Sequence, residues 1–263
     1  MDSSGDDREW NLWIDETPRA GWANMAIDRT LLDRAELGEC WFRLYSWEPH
    51  CLSFGRHEPA LRRYSRERIR GLGIDTVRRP TGGRAVWHSH ELTYAVASPC
   101  RYFGSLPEAY LEIHQTLADA LMELGVEASL APQTPAVGLH EGACFERPAG
   151  GEVMTAQGKI IGSAQLRHGT AFLQHGSILL QDEQRLVSQL SIDARDDLVL
   201  QPTEFPAPLD REDARGELIE AVSARVRDRW AGVWRLTHGP VEVLRSASEL
   251  YPEFRSPAWT WRR

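Results

Sequence analysis

Lys159 is the one lysine in a chain whose other 29 members of the Lys and Arg class are all arginine. It sits in the segment Gly158-Lys159-Ile160-Ile161-Gly162-Ser163-Ala164-Gln165. Where a charge merely faces water, either residue serves. A retained ε-ammonium is therefore either a leftover surface group or a compact, rotatable charge whose pKa can move on burial. Cys144, in Gly142-Ala143-Cys144-Phe145-Glu146-Arg147-Pro148, is a candidate nucleophile if it is accessible and a nearby cation holds its thiolate. Each pKa unit lost by the thiol corresponds to about 1.4 kcal/mol of preferential thiolate stabilisation. Taken alone, Cys144 reads at least as readily as a small buried side chain, which is how we read Cys40, Cys51 and Cys100.

A second set of residues lies in Arg78-Arg79-Pro80-Thr81-Gly82-Gly83-Arg84-Ala85-Val86-Trp87-His88. Paired glycines let main chain approach a ligand closely, and their N–H groups can form an anion-binding nest. Flanking arginines suit a carboxylate, a phosphate or a phosphopantetheine group. A plain hairpin with solvated arginines fits the bare Gly-Gly equally, and the GxxxxGK[ST] spacing of a P-loop is absent. A third set is Leu173-Gln174-His175-Gly176-Ser177. There His175 is either a site residue or a core histidine satisfied by hydrogen bonds. The small residues Gly162, Ser163 and Ala164 leave room for something bulky above a sheet.

These segments need a frame. Alternation and turn residues predict strands at 11–15, 41–47, 51–54, 75–78, two within 85–97, then 152–156, 159–165 and 171–180. The strand at 51–54 is expected beside that at 41–47, and a Gln157-Gly158 turn joins 152–156 to the next strand. Helical spacing predicts helices at 21–37, 65–72, 106–124 and 213–230. Residues 132–151, rich in Pro and Gly, read as a long loop. Strand runs with helices between some of them argue for an α+β or mixed-sheet domain.

At 263 residues, 42% hydrophobic and 26% charged, the chain is expected to fold as one globular domain with a sizeable core. A net charge of −8 offers no nucleic-acid or anionic-membrane surface. The acidic start Met1-Asp2-Ser3-Ser4-Gly5-Asp6-Asp7 is unlike a signal peptide, and no apolar run reaches spanning length. The cysteines show no CxxC pair and no zinc spacing, so a cytoplasmic protein with free thiols and no metal is expected.

Taken together, RRPTGGRAVWH with LTYAV (78–88, 92–96), GKIIGSAQLR (158–167) and LQHGSILL (173–180) resemble the lipoate–protein ligase family, which shares its catalytic domain with biotin–protein ligases. Asn24-Met25-Ala26-Ile27-Asp28 resembles that family's "NMAxD" helix, and the resemblance covers roughly residues 10–200. Ala143-Cys144-Phe145 before the GKIIGSAQ strand, with Gln165 and Gln174, resembles the cysteine-dependent octanoyltransferases of the LipM type. Pro148-Ala149-Gly150-Gly151 departs from the pattern, being glycine-rich where a bulkier run is expected. The resemblance implies an α+β fold with a mixed, largely antiparallel sheet. It implies one catalytic domain over 1–263, with a core of about 36–230, an N-terminal strand–helix and a C-terminal tail.

The same resemblance implies octanoyl transfer from acyl carrier protein, through a Cys144 thioester assisted by Lys159, to a lysine of a lipoyl carrier such as glycine-cleavage H protein. Substrate contacts are then expected from Arg79, Thr81, Gly82, Gly83, Arg84, His88, Gly162, Ser163, Ala164, His175 and Gly176. No cofactor, ATP, nucleic acid or membrane is expected, and the protein is expected to be a monomer. The rivals are an ATP-dependent lipoate–protein ligase, for which Cys144 would be incidental, an octanoyl amidotransferase between carriers, and a non-catalytic acyl-carrier or lipoate-binding protein. A biotin ligase fits poorly, because RRPTGGR replaces its GRGRxGR-like loop.

Overall fold

A computed structural model describes residues 8–132, 150–194 and 205–263. In chain order the elements are β1 (Glu9–Ile14), α1 (Gly21–Glu36), β2 (Cys40–Tyr45), β3 (Cys51–Phe54), α2 (Ala60–Arg63), α3 (Arg66–Gly71), β4 (Asp75–Arg78), β5 (Val86–His88) and β6 (Glu91–Pro99). Then come α4 (Leu106–Glu123), β7 (Ser129–Leu130), β8 (Val153–Thr155), β9 (Gly158–His168) and β10 (Ala171–Leu179). The chain continues with α5 (Leu186–Gln189), α6 (Ala214–Arg229), β11 (Val233–Leu236), α7 (Val241–Arg255) and α8 (Pro257–Thr260).

Eight strands form one sheet in the order β11-β1-β2-β6-β10-β9-β8-β7, and three form a second in the order β4-β3-β5. β1 runs parallel to both its neighbours, while the pairs from β2 to β7 are antiparallel. This is the expected α+β class with a mixed, largely antiparallel sheet. The central strands β2, β6 and β10 are buried along their whole lengths because helices cover both faces.

On one face α4 lays Ala109, Ile113, Leu117 and Leu121 against Phe42, Tyr94, Ile161 and Phe172, and α6 adds Leu218, Val222 and Val226. These α4 residues recur at helical spacing, and the helix starts at a capping box in which Ser105 and Glu108 satisfy each other's backbone N–H groups. On the other face Met25, Ile27 and Leu31 of α1 pack with Val243, Ala247 and Phe254 of α7 over Trp41, Ala95 and Leu173.

Two pairings differ from expectation. β3 does not join β2. It pairs in parallel with β4 and antiparallel with β5, Ser53 opposite Val86 and Cys51 opposite His88. The two strands around Ser89-His90 likewise part company, β5 going to the small sheet and β6 to the large one. Alternation reports which faces are apolar, and it carries no information on the partner strand. Residues of both sheets line the cleft described next.

Candidate active site

The cleft floor is Gly162, Ser163 and Ala164 of β9 with His175, Gly176 and Ser177 of β10 and Thr93 of β6. Its walls are Met25 of α1, Tyr45, Trp47, Val86 and His88, with Arg79 and Gly83 from the loop between β4 and β5. About 390 Å³ of atom-free space lies here, counting the part open to solvent. The lining is apolar on the Met25–Trp47–Val86 side, and the glycines and Ala164 keep the floor low.

The β4–β5 loop is held by its own arginine. Arg79 donates to the carbonyls of Gly82 (3.1 Å) and Arg84 (2.7 Å), and to the Ser53 carbonyl (2.9 Å) and hydroxyl (2.6 Å). Gly83 has a φ of 90°, which glycine adopts without strain. Gly55 packs so closely beneath the turn that a Cβ there would lie 1.9 Å from the Gly83 carbonyl oxygen. Arg78 is buried and donates to the carbonyls of Gly55, Glu58 and Thr260, so both arginines serve the loop's architecture.

From Arg79 a polar chain runs to a carboxylate. Ser53 Oγ accepts from Arg79 and lies 2.6 Å from His88 Nε2, while His88 Nδ1 lies 2.7 Å from Glu91 Oε1. Arginine is donor-only and the carboxylate acceptor-only, so Ser53 donates to Nε2 and the Nδ1–H donates to Glu91. Burial pushes the His88 pKa down, with Glu91 opposing, and the imidazole is stacked 3.8 Å from the Trp47 ring. His175 is fixed in a similar way. Its Nδ1–H donates to Asp28 (2.8 Å) and its Nε2 lies 2.7 Å from the Thr81 hydroxyl. Asp28 also accepts from Arg43 (3.1 Å) and Tyr45 (2.8 Å), and Arg43 donates to Asp15 (2.7 Å) and Asn24 (2.8 Å).

A third imidazole lies behind the floor. His114 of α4 has Nδ1 at 2.6 Å from the Gly151 carbonyl and Nε2 at 2.7 Å from Ser163 Oγ. Burial pushes its pKa down to about 4. A carbonyl only accepts, so the neutral ring carries its proton on Nδ1 and Nε2 accepts the Ser163 O–H. Ser163 Oγ must then accept from Tyr94 (2.6 Å), whose oxygen accepts from Gln174 (2.8 Å). The direction of the whole chain follows from one acceptor at its end. Ser163 thus presents an acceptor, not a donor, to anything further that binds it. This arrangement has a pH signature. Between the folded pKa of about 4 and the ordinary value of 6.5, the unfolded chain binds a proton that the native protein does not. His114 therefore contributes stability that is present above pH 6.5 and lost as the pH falls towards 4, up to about 3 kcal/mol. Urea denaturation at several pH values should show a shallower slope in this window for His114→Gln, and an unchanged slope would sink the assignment.

Lys159 is buried, its side chain 1% exposed, with Nζ 2.6 Å from Glu152 Oε1. The tight β8–β9 hairpin sets this contact, pairing Met154 with Lys159 and Thr155 with Gly158. Lys159 is not among the cleft-lining residues, nor are Thr81, Gly82 and Arg84. Thr81 lies fully buried on His175, and Gly82 and Arg84 are half-buried in the turn. Cys144 lies outside the described residues. The structure adds Met25, Tyr45, Trp47, Val86, Thr93 and Ser177 to the cleft, with Asp28, Glu91 and His114 as the groups orienting it. Asp28 carried a sequence signal as an acid on the apolar face of α1, whereas His114 looked like an ordinary core residue of α4.

One metal-ligand type of cluster occurs among the described residues, Asp33, Glu36 and His168, and none of the three lines the cleft. No helix among the described residues is long and apolar enough to cross a membrane.

Comparison with known proteins agrees with this geometry. Residues 20–204 match the lipoyl protein ligase A/B catalytic domain. Octanoyltransferase LipM of Exiguobacterium sibiricum is 31% identical over 276 residues, covering 97% of this chain and 99% of that protein. Octanoyltransferase LipM of Carboxydothermus hydrogenoformans is 38% identical over 162 residues, a match that spans 60% of each chain. Among solved structures, a lipoate-protein ligase A bound with ATP superimposes with a TM-score of 0.70 at 17% identity, covering 97% of this chain and 98% of the other. A bi-partite lipoate protein ligase from Thermoplasma acidophilum, studied with its E2 lipoyl domain, gives 0.71 at 17% identity, covering 97% and 96%. With more than half its length in that family match and a relative aligned nearly end to end, the chain belongs to the lipoyl protein ligase A/B catalytic domain family.

Proposed function

We propose that this protein is an octanoyltransferase of protein lipoylation, moving octanoyl from acyl carrier protein to a lysine of a lipoyl carrier protein such as glycine-cleavage H protein. The observation that carries the reading is the near end-to-end likeness to a protein named Octanoyltransferase LipM. The cleft supports it. Its apolar wall of Met25, Tyr45, Trp47 and Val86 suits an acyl tail, and Gly162 and Ala164 leave the floor open beneath it.

In the first step the Cys144 thiolate attacks the donor thioester carbonyl, a C–S bond forms, and the carrier leaves as its thiol after taking a proton. The Lys159 ammonium favours the thiolate by charge. In the second step the acceptor amine attacks the acyl-cysteine, a C–N bond forms, and Cys144 is released as thiolate. The acyl–sulfur bond breaks as the C–N bond forms, and the amine sheds one proton to solvent, which balances the proton the carrier thiol took up in the first step. His175 has both ring nitrogens engaged, by Asp28 and Thr81. Ser163, left with an acceptor by its bonds to Tyr94 and His114, suits an amine N–H and does not suit an oxyanion. Oxyanion donors are then main-chain N–H groups of the 162–164 strand or the Gly82-Gly83 turn, worth on the order of 3 kcal/mol each. The protein acts as a cytoplasmic monomer and consumes no ATP.

Intact-protein mass spectrometry after incubation with octanoyl-acyl carrier protein, without ATP, tests this directly. The wild type should gain one octanoyl group and Cys144→Ser should not. No adduct, together with carrier acylation only when ATP and free octanoate are supplied, would instead identify an acid-activating ligase.

A further inference from the structure

Ten arginines among the described residues, including Arg19, Arg34, Arg43 and Arg229, are paired with carboxylates. A group beside the cleft is different. Arg56, Arg262 and Arg263 show no ion pair to a side-chain carboxylate among the described residues, and hydrogen bonds hold their segments in place. Arg262 donates to the Arg56 carbonyl at 2.9 Å, and its guanidinium lies 4.0 Å from the Trp259 ring centroid. The Leu61 N–H donates to the main-chain oxygen of Arg263, the last residue, at 2.8 Å. The buried Arg78 ties the segment down by donating to the carbonyls of Trp259 and Thr260. Arg262, Arg263 and the neighbouring His57 are exposed, and Arg56 is half-buried.

These charges feel one another. Burial first, then Arg56 and Arg263, pull the Arg262 pKa below its usual value, with Glu253 the opposing carboxylate. His57 is lowered too, by desolvation first and then by Arg263, Arg56, Arg262 and Arg78. The other nearby acid, Glu58, is buried and bonded to Tyr64 and Arg63. Like charges gathered on a chain of net charge −8 cost free energy unless something anionic covers them. Their position matters as much. The Arg56 N–H donates to the Thr81 carbonyl at 2.7 Å, and Gly55 before it abuts Gly83, which lines the cleft. The cluster is therefore on the rim, where a macromolecule reaching into the cleft would rest.

We propose that Arg56, Arg262 and Arg263, with His57 beside them, form the docking surface for an acidic face of the carrier protein that brings the acyl thioester. The proposal rests on the octanoyl-transfer reading and adds where the donor sits. A small thioester needs the cleft alone, while a protein donor also needs the rim. Complementary charge of this kind acts mainly on association and is screened by salt.

The experiment compares two donors, octanoyl-acyl carrier protein and octanoyl-pantetheine, for the wild type, an Arg56→Glu/Arg262→Glu variant and an Arg56→Lys/Arg262→Lys variant. Charge reversal should lower kcat/KM for the protein donor on the order of tenfold or more and flatten its dependence on salt. It should leave turnover of octanoyl-pantetheine unchanged, and the lysine variant should stay close to wild type with both donors. Unchanged kinetics with the protein donor, or an equal loss with both donors, would overturn the docking surface. A wild type that accepts neither donor would instead overturn octanoyl transfer itself.

Discussion

Lys159→Arg is expected to lower the rate of octanoyl-adduct formation on the order of 100-fold, the size of effect that a misplacement of about 1 Å can produce. Charge is conserved, so any loss reports shape. The ammonium is a compact point charge in an enclosed space, with Glu152 Oε1 at 2.6 Å and the side chain 1% exposed. A planar guanidinium on a stem of different length cannot occupy that position without moving the carboxylate or the β8–β9 hairpin that presents both. Adduct mass against time after mixing with octanoyl-acyl carrier protein gives the rate, and circular dichroism confirms that the variant is folded. If the arginine protein acylates at the wild-type rate, Lys159 supplies only positive charge and the specific chemistry assigned to it is wrong.

Asp28→Asn should cost stability, about 3 kcal/mol or more. Asp28 is fully buried and accepts from three donors, Arg43 on one oxygen and Tyr45 and His175 on the other. The amide has one acceptor oxygen, so its NH2 group faces either the donor-only Arg43 or the pair Tyr45 and His175, which must then reverse their hydrogen bonds. Arg43, also fully buried, keeps Asp15 but loses half of its counter-charge. The substitution adds no volume, so the loss measures electrostatics and hydrogen bonding, not packing. Guanidinium denaturation of both proteins gives the difference. A loss below about 1 kcal/mol would mean that Asp28 is not held as a carboxylate in this network.

Much of this was legible in advance. The limits of α1 and α4 followed from apolar helical spacing and those of β4 from strand-like composition, which are local signals. The residues of β9 and β10 that form the cleft floor stood out because glycine, serine and alanine interrupt apolar runs. Residues 41–47 read only as a strand, and the role of Arg43 within it came with Asp15 and Asp28 from other elements. Strand partnership was not legible. Cys51–Phe54 and Val86–His88 have the composition of any buried strand, and only tertiary packing separates the small sheet from the large one. His114 was hidden for a related reason. At helical spacing from Tyr110 and Leu117 it reads as filler, and its partners Ser163 and Gly151 come from distant parts of the chain. Asn24-Met25-Ala26-Ile27-Asp28 was recognisable as a motif before its purpose was. Met25 lines the cleft, while Asn24 and Asp28 anchor Arg43.

The Arg79 clamp has a thermodynamic consequence. Four donations from one guanidinium, two of them to carbonyls of its own turn, freeze the Gly82-Gly83 wall while the protein folds. The entropy of ordering that wall is then charged to folding, and an incoming ligand meets a turn already held in place. A wall of this kind discriminates by exclusion. A ligand that fits the turn as it stands binds with no ordering cost there, and one that needs Gly83 displaced must break the Arg79 bonds to Gly82 and Arg84.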